Sequence, residues 1–201
     1  EQSASPVLAG KLPPDIRLKH ISLPDPSMHF NNSWAINVGA RMAKGRILAI
    51  HDADFAVHEA YLAEAVRMMG KNVAIRPARF IFYLDEFSTH LTLSDCTIPA
   101  KPGLEYVNQN TPNPVIVDST TYWNCGGHDE TYFGWGGEDE EFLDRLRLGP
   151  VLEGGALPVV HLWHPPAPKR SNDSRNRELH ASVMRSDRRK RSMRLRQLEL
   201  G

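Results

Sequence analysis

The chain has 201 residues, with 24 Lys plus Arg balanced by 24 Asp plus Glu, and 41% hydrophobic residues. That length suits one sizeable core, and the balanced charge excludes the strong positive field that gathers nucleic acid. No apolar run reaches transmembrane length and no signal peptide stands out. The two cysteines, Cys96 and Cys125, lack metal-type spacing, and two free thiols fit a reducing, cytoplasmic compartment.

Residues 1–14 are small, polar and proline-containing, a loose lead-in. Ile16, Leu18 and Ile21 suit a short strand before the Pro24-Asp25-Pro26 break. Ser33 is placed to cap a helix with Ala35, Val38, Gly39 and Met42 on one face and Gly45 as its stop. Arg46 to His51 is a mostly apolar run of strand length, as expected of a buried parallel strand. Asp52 and Asp54 sit at its carboxyl end, where open α/β sheets bind ligands. A second helix is expected with Leu62, Ala65, Val66 and Met69 on one face and Gly70 at its end. Val73–Ile75 and Phe80–Leu84 read as strands, and Asp85 to Leu93 as a short helix or a loop. Pro99, Pro102, Pro112 and Pro114 make 96–114 a long irregular connection, of a kind that often carries function. Val115–Val117 is a short strand, and Leu157 to Trp163 is the last one, stopped by Pro165-Pro166. From Lys169 onward the chain is basic, a helical tail whose charge is either a solvated face or a contact for anionic lipid, a partner or an acidic glycan. Strands alternating with helices imply an α/β fold with a mixed, mostly parallel sheet.

The densest chemistry lies between Gly126 and Leu146. Two Gly-Gly pairs bracket Tyr132, Phe133 and Trp135, and the second pair, Gly136-Gly137, is followed at once by Glu138, Asp139, Glu140 and Glu141. Glycine permits a positive φ or a close approach to a ligand. A Trp between glycines can stack on a sugar, and the carboxylates after it can act as acid or base. Asp52-x-Asp54 offers hard oxygen ligands for Mg²⁺ or Mn²⁺ bridging a diphosphate. His161 and His164 add nitrogen ligands that favour Mn²⁺. Residues three apart in a regular strand face opposite ways, so both histidines can meet one ion only if the strand ends or bends between them. His51-Asp52 also suggests a metal phosphohydrolase, but that site needs its His-Asp pair on helices, and this pair ends a strand.

The run Gly126-Gly127-x-Asp129-Glu130 through Gly134-Trp135-Gly136-Gly137-Glu138-Asp139 to Arg145-Leu146 resembles the C-terminal signature of galactosyltransferase-like inverting glycosyltransferases. It is also similar to that of bacterial chondroitin-polymerase-type enzymes. More weakly, the resemblance extends from about Phe30 to His164. It implies a GT-A-like domain over 1–168 followed by the basic helical tail over 169–201. It also implies that part of the N-terminal nucleotide-binding βαβ unit is lacking, since only about fifteen residues precede the first expected strand. The implied activity is metal-dependent transfer of galactose, N-acetylgalactosamine or a related hexose from a UDP-sugar to a glycan or other hydroxyl acceptor, with inversion. The implied roles are Asp54 and His164 as metal ligands, with His161 at the position of a second ligand, and Mn²⁺ (or Mg²⁺) as cofactor. Asp52 would contact the donor, Asp139 would be the base, and Glu138 would bond the acceptor sugar. Trp135, Gly136 and Gly137 would line the sugar site, while Glu140 and Glu141 would lie on the helix surface. Phe30-Asn31 matches a nucleotide-contacting Phe-Asn-Arg segment, with Asn32 in place of the arginine, and Asn113-Pro114 replaces a glycine pair. The alternative is a non-catalytic sugar- or nucleotide-binding module, or a fragment of a larger glycosyltransferase. For a fragment of a eukaryotic enzyme the expected compartment is the Golgi lumen.

Overall fold

The computed structural model describes residues 1–23, 30–109, 111–165 and 173–201. The expected break at Pro24-Asp25-Pro26, and Pro166 of the expected final stop, lie outside them. In chain order the first elements are β1 (Gln2–Ser3), β2 (Ile21–Ser22), α1 (Asn32–Met42), β3 (Ile47–Ile50) and β4 (Phe55–Ala56). Next come α2 (Tyr61–Met69), β5 (Ala74–Ile75), β6 (Phe80–Leu84), α3 (Glu86–Asp95), β7 (Leu104–Gln109) and β8 (Val115–Asp118). The last are α4 (Ser119–Asn124), α5 (Glu138–Leu146), β9 (Val151–Leu152), β10 (Val159–His161), α6 (Asp173–Met184) and α7 (Arg188–Leu195). Among the described residues, no helix is long and apolar enough to cross a membrane.

Contacts divide the chain into two compact units. The first comprises Glu1–Lys44, Trp123–Arg145 and Lys169–Gly201, and the second Gly45–Tyr122 and Leu146–Pro168. The second unit holds two four-stranded sheets, ordered β4-β10-β6-β7 and β3-β8-β5-β9. They are mixed, but β10–β6 and β5–β9 are their parallel pairs, and β10–β4, β3–β8, β5–β8 and β6–β7 are antiparallel. The expectation of a mostly parallel sheet is therefore corrected. So is that of a buried parallel β3, which runs antiparallel to β8 at the sheet edge and alternates in burial. An apolar run of strand length shows that a strand is covered; it does not show the direction of its partner.

The core of this unit gathers Tyr61, Ala65 and Met69 of α2 with Ile75, Ala78, Ile81, Ile116 and Val159. The helix is rotated from the expected face, so that Leu62 and Val66 are exposed while Tyr61 is buried. Gly70, at φ 55, ends it. The 96–114 segment is not irregular throughout. Between its prolines, β7 pairs antiparallel with all of β6, and all six of its residues are exposed. Asp85 caps α3 by accepting the Ser88 N–H at 2.7 Å, which settles the 85–93 stretch as helix.

The first unit is held largely by polar groups. Asn31, not Ser33, caps α1, accepting the Trp34 N–H at 2.9 Å. The buried face of α1 carries Ser33 and Asn37, while Met42 is exposed. The apolar spacing that suggested the opposite face is overridden by hydrogen bonds. The Asn37 amide donates to the His128 carbonyl (2.9 Å) and to the Glu130 carboxylate (2.8 Å), and its oxygen accepts the His128 N–H (3.0 Å). A buried amide with its partners satisfied is tolerated as an apolar group would be.

The basic C-terminal segment does not present a uniformly solvated face. Arg191, Ser192 and Leu195 of α7 are buried, and Arg191 bonds the carboxylates of Glu141 (2.6 Å) and Asp144. Arg188 also pairs with Asp144 (2.6 Å), and Arg194 with Asp129 (2.5 Å). Three arginines of the basic segment are thus matched by carboxylates within the chain. Glu141, expected on the helix surface, is fully buried. Among the described residues neither Cys96 nor Cys125 forms a disulfide.

Candidate active site

In the second unit β3 ends at Ile50, and His51 to Asp54 form the turn into β4. Asp54 meets the other expected ligands through the pairing of β4 with β10, where Phe55 faces His161. Strand β10 ends at His161. Beyond it, the Leu162 N–H donates to the Asp54 carbonyl at 2.8 Å, and the Trp163 N–H donates to the Thr89 hydroxyl at 2.7 Å. The first carries the β4–β10 register one residue further and the second leaves it for α3, and His161 and His164 come to the same carboxylate. His161 Nε2 lies 3.4 Å and His164 Nε2 3.5 Å from Asp54 Oδ2. Ligand atoms of all three residues fall within 4.8 Å of one another.

The tautomers follow from the partners. His161 Nδ1 lies 2.7 Å from the Leu162 carbonyl and His164 Nδ1 2.9 Å from the Pro165 carbonyl. A carbonyl only accepts, so each Nδ1 carries the proton and each Nε2 presents a lone pair. Two lone pairs and a carboxylate converging on one point repel unless a cation or protons lie between them. The other Asp54 oxygen, Oδ1, is buried and has no hydrogen-bond partner among the described residues. An O/N/N donor set with outward-tethered imidazoles is what a divalent transition metal requires. The residues therefore fit the expected ion. Tyr83 stacks on the His161 ring, with centroids 4.3 Å apart, and fixes its plane. Asp52, beside this cluster in sequence, accepts the Asn113 amide at 3.0 Å, a bond that orients its carboxylate.

In the first unit Asp139 and Glu138 open α5 directly after Gly136 and Gly137, whose φ values are 103° and 94°. Glu138 is buried, and its Oε2 has no hydrogen-bond partner. The other oxygen lies 3.5 Å from the Asn32 amide. Burial, and next the Asp139 charge, push the Glu138 carboxyl up from the ordinary glutamate range. Asp139 is pushed up to about 6, first by desolvation and then by Glu140, although a quarter of its side chain still reaches solvent. Its Oδ1 lies 3.8 Å from Nε2 of His128, a ring buried against Phe142. Desolvation, then the Arg145 charge, holds His128 down to about 3, so this neighbour is neutral and does not draw the proton off Asp139. A carboxylate with pKa near 6, partly open to solvent, can accept a proton from a hydroxyl at neutral pH.

Trp135 and Phe30 are about half exposed. They belong to neighbouring backbone segments, because the Gly134 N–H donates to the Phe30 carbonyl at 2.8 Å and Asn31 bridges to Gly134. A Cβ on Gly136 would meet nothing within 4 Å, whereas one on Gly137 would lie 2.9 Å from Tyr132 Cε1. Gly136 thus opens to the surface, and Gly137 is required by packing. Two features beyond the sequence reading are His128 beside Asp139 and Asn176 against the Trp135 loop. Neither has a local signal, since each acts through a residue distant in sequence.

Residues 114–151 match the family model described as the N-terminal domain of galactosyltransferase. Among curated proteins no relative matches the chain. Of solved structures, GalNAc-T7 with UDP, GalNAc and Mn²⁺ is similar at 16% identity and a TM-score of 0.52, over 77% of this chain and 34% of that one. The catalytic domain of Drosophila β1,4-galactosyltransferase 7 in complex with xylobiose is similar at 18% identity and a TM-score of 0.45, over 78% of this chain and 64% of that one. The chain thus spans less than two thirds of either structure. The first likeness shows the fold, which is GT-A.

Proposed function

We propose that this chain, galactosyltransferase-like in its 114–151 segment and of GT-A fold, is a metal-dependent inverting glycosyltransferase. It would transfer galactose, N-acetylgalactosamine or a related hexose from a UDP-sugar to a hydroxyl of a glycan or similar acceptor. The observation that carries this reading is the convergence of Asp54, His161 and His164. These three would hold Mn²⁺, with Mg²⁺ the weaker choice for an imidazole-rich set. Bound there, the ion would supply charge neutralisation for the departing diphosphate. Asp52, oriented by Asn113, would accept a hydrogen bond from a donor hydroxyl.

The acceptor-side roles are assigned on chemical grounds. Asp139 takes the proton of the attacking hydroxyl, and Glu138 accepts a hydrogen bond from the acceptor sugar. Trp135 offers its exposed face to a sugar ring, with Phe30 and the open backbone of Gly136 beside it. Direct attack on the face opposite the leaving group inverts the anomeric centre. The likeness of GalNAc-T7, a structure with UDP, GalNAc and Mn²⁺, supports a UDP-sugar donor.

The test is UDP release from UDP-galactose and UDP-N-acetylgalactosamine. The acceptors are methyl glycosides of xylose, glucose, N-acetylglucosamine and glucuronic acid, each with Mn²⁺, with Mg²⁺ and with chelator. Acceptor-dependent release that chelator abolishes is expected; UDP binding with no transfer to any acceptor would leave a binding module. The pH profile is a second expected result. The base works only when ionised, and Asp139 is held near 6. kcat/KM should therefore be flat above about pH 7 and fall about tenfold per unit well below pH 6. A profile flat down to pH 5 would mean that another group takes the proton.

A further inference from the structure

Helix α6 grips the loop that carries Trp135. Asn176, 1% exposed, donates its side-chain amide to two carbonyls of that loop, Phe133 at 2.9 Å and Trp135 at 3.0 Å. Beside it, Arg175 donates to the Thr131 carbonyl at 3.2 Å and lies over the Phe133 ring at 5.3 Å. One turn on, His180 meets the far end of the same loop. Its Nδ1 lies 3.3 Å from the Tyr132 hydroxyl, its Nε2 3.2 Å from Glu140, and its Cβ 3.2 Å from where a Cβ on Gly137 would stand. Asn176 and His180 are four apart and so share a helix face. That face holds the loop from Thr131 to Glu140 at both ends.

We propose that Asn176 is the positioning residue of the acceptor side, fixing the direction in which Trp135 presents its ring. The inference rests on the transferase reading given above. The indole is more than half exposed, and the glycines at 134, 136 and 137 all have positive φ, so the loop has little intrinsic preference to hold it. One carbonyl lies in the peptide that follows Trp135 and the other in the peptide before Gly134, so one buried amide brackets the Gly134-Trp135 pair from both sides. An amide NH₂ has two donors, and here each goes to a different peptide. Losing it removes one hydrogen bond from each of these carbonyls and loosens the backbone that presents the Trp135 ring. Asp54, His161, His164 and Asp52 lie in the other compact unit, so donor binding should not respond.

The experiment compares the parent with Asn176→Asp, which keeps the shape but turns oxygens toward both carbonyls, and Asn176→Gln, which keeps the NH₂ group. The readouts are acceptor KM and kcat with the best methyl glycoside from the screen, Mn²⁺-dependent UDP affinity, thermal midpoint, and amide hydrogen exchange over residues 131–140. Asn176→Asp is expected to raise acceptor KM by about tenfold or more, the loss expected from two ordinary hydrogen bonds. Its kcat and UDP affinity should stay within about twofold of the parent, by the same arithmetic, and exchange in 131–140 should quicken. Asn176→Gln should recover part of the KM loss. Faster exchange with unchanged acceptor KM would reduce Asn176 to a structural role and overturn the proposal. So would unchanged exchange, or a loss of UDP affinity in step with KM. A parent that neither binds UDP nor transfers would overturn the transferase reading, and the acceptor role with it. The exchange comparison would then report on the clamp alone.

Discussion

Asp139→Asn is expected to lower transfer by roughly 10²–10⁴-fold, the usual contribution of a general base, while UDP and Mn²⁺ affinities stay at parent values. The substitution keeps size and a hydrogen-bonding oxygen but removes the basicity that burial raises to a pKa of about 6. Binding should survive because the groups assigned to the ion and donor are Asp54, His161, His164 and Asp52, none of which changes. Glu140→Gln is the control. Its side chain is 65% exposed and paired only with His180 among the ion pairs, so its rate above pH 7 should match the parent. One finer effect is expected: the Glu140 charge helps to raise Asp139, so removing it should move the acid limb to lower pH. A near-parent rate in Asp139→Asn would place the base elsewhere.

Glu141→Ala is expected to be the most destabilising single change in this region, although it lies one residue from the silent position. Its carboxylate is fully buried and accepts Arg145 Nε (2.8 and 2.9 Å), Arg145 Nη2 (2.6 Å) and Arg191 Nη1 (2.6 Å). Truncating it leaves two buried guanidinium groups without their shared counter-charge, a loss of about 3–5 kcal/mol. Most of a typical domain's stability is only about 5–15 kcal/mol, so the urea midpoint should fall sharply. Glu140→Ala should change stability by no more than about 0.5 kcal/mol, as for an ordinary surface site. Equal urea midpoints for the two variants would mean that the Arg145–Glu141–Arg191 network contributes nothing to folding.

These neighbours show where sequence reading stops. Four consecutive acidic residues at a helix start look alike in sequence, and the macrodipole accounts for all of them. What separates Glu141 is that Arg145, at the i+4 spacing surface pairs also use, and Arg191, fifty residues on, close over it together, and only the first has any local signal. Asn37 is a similar case: its partners, His128 and Glu130, are some ninety residues away, so the helix face that looked apolar was chosen over the polar face that is buried. β7 was hidden by prolines at 102 and 112, which punctuate the chain but leave room for a six-residue strand between them. Strand direction in β3 was equally out of reach, because antiparallel and parallel partners can cover the same Leu and Ile side chains. The Asp54, His161 and His164 grouping was more legible. A carboxylate just past a strand and a histidine at the end of another are position signals, and position at strand ends is what a sheet preserves. The sequence left open only whether β10 would bend. Past His161 the chain leaves the ladder where the Trp163 N–H meets the Thr89 hydroxyl, a partner with no signature of its own.

The central claim is that these three side chains hold a divalent ion that in turn holds a UDP-sugar. Calorimetric titration of UDP into the parent and into Asp54→Asn, each with Mn²⁺ and with chelator, tests it most directly. The account predicts UDP binding by the parent that requires Mn²⁺ and disappears with chelator. In Asp54→Asn, which keeps the shape but removes the only anionic ligand of the three, that binding should weaken by about 10²-fold or more, the scale on which loss of a charged metal contact is felt. UDP binding of equal strength with and without Mn²⁺, or undiminished in Asp54→Asn, would contradict the account.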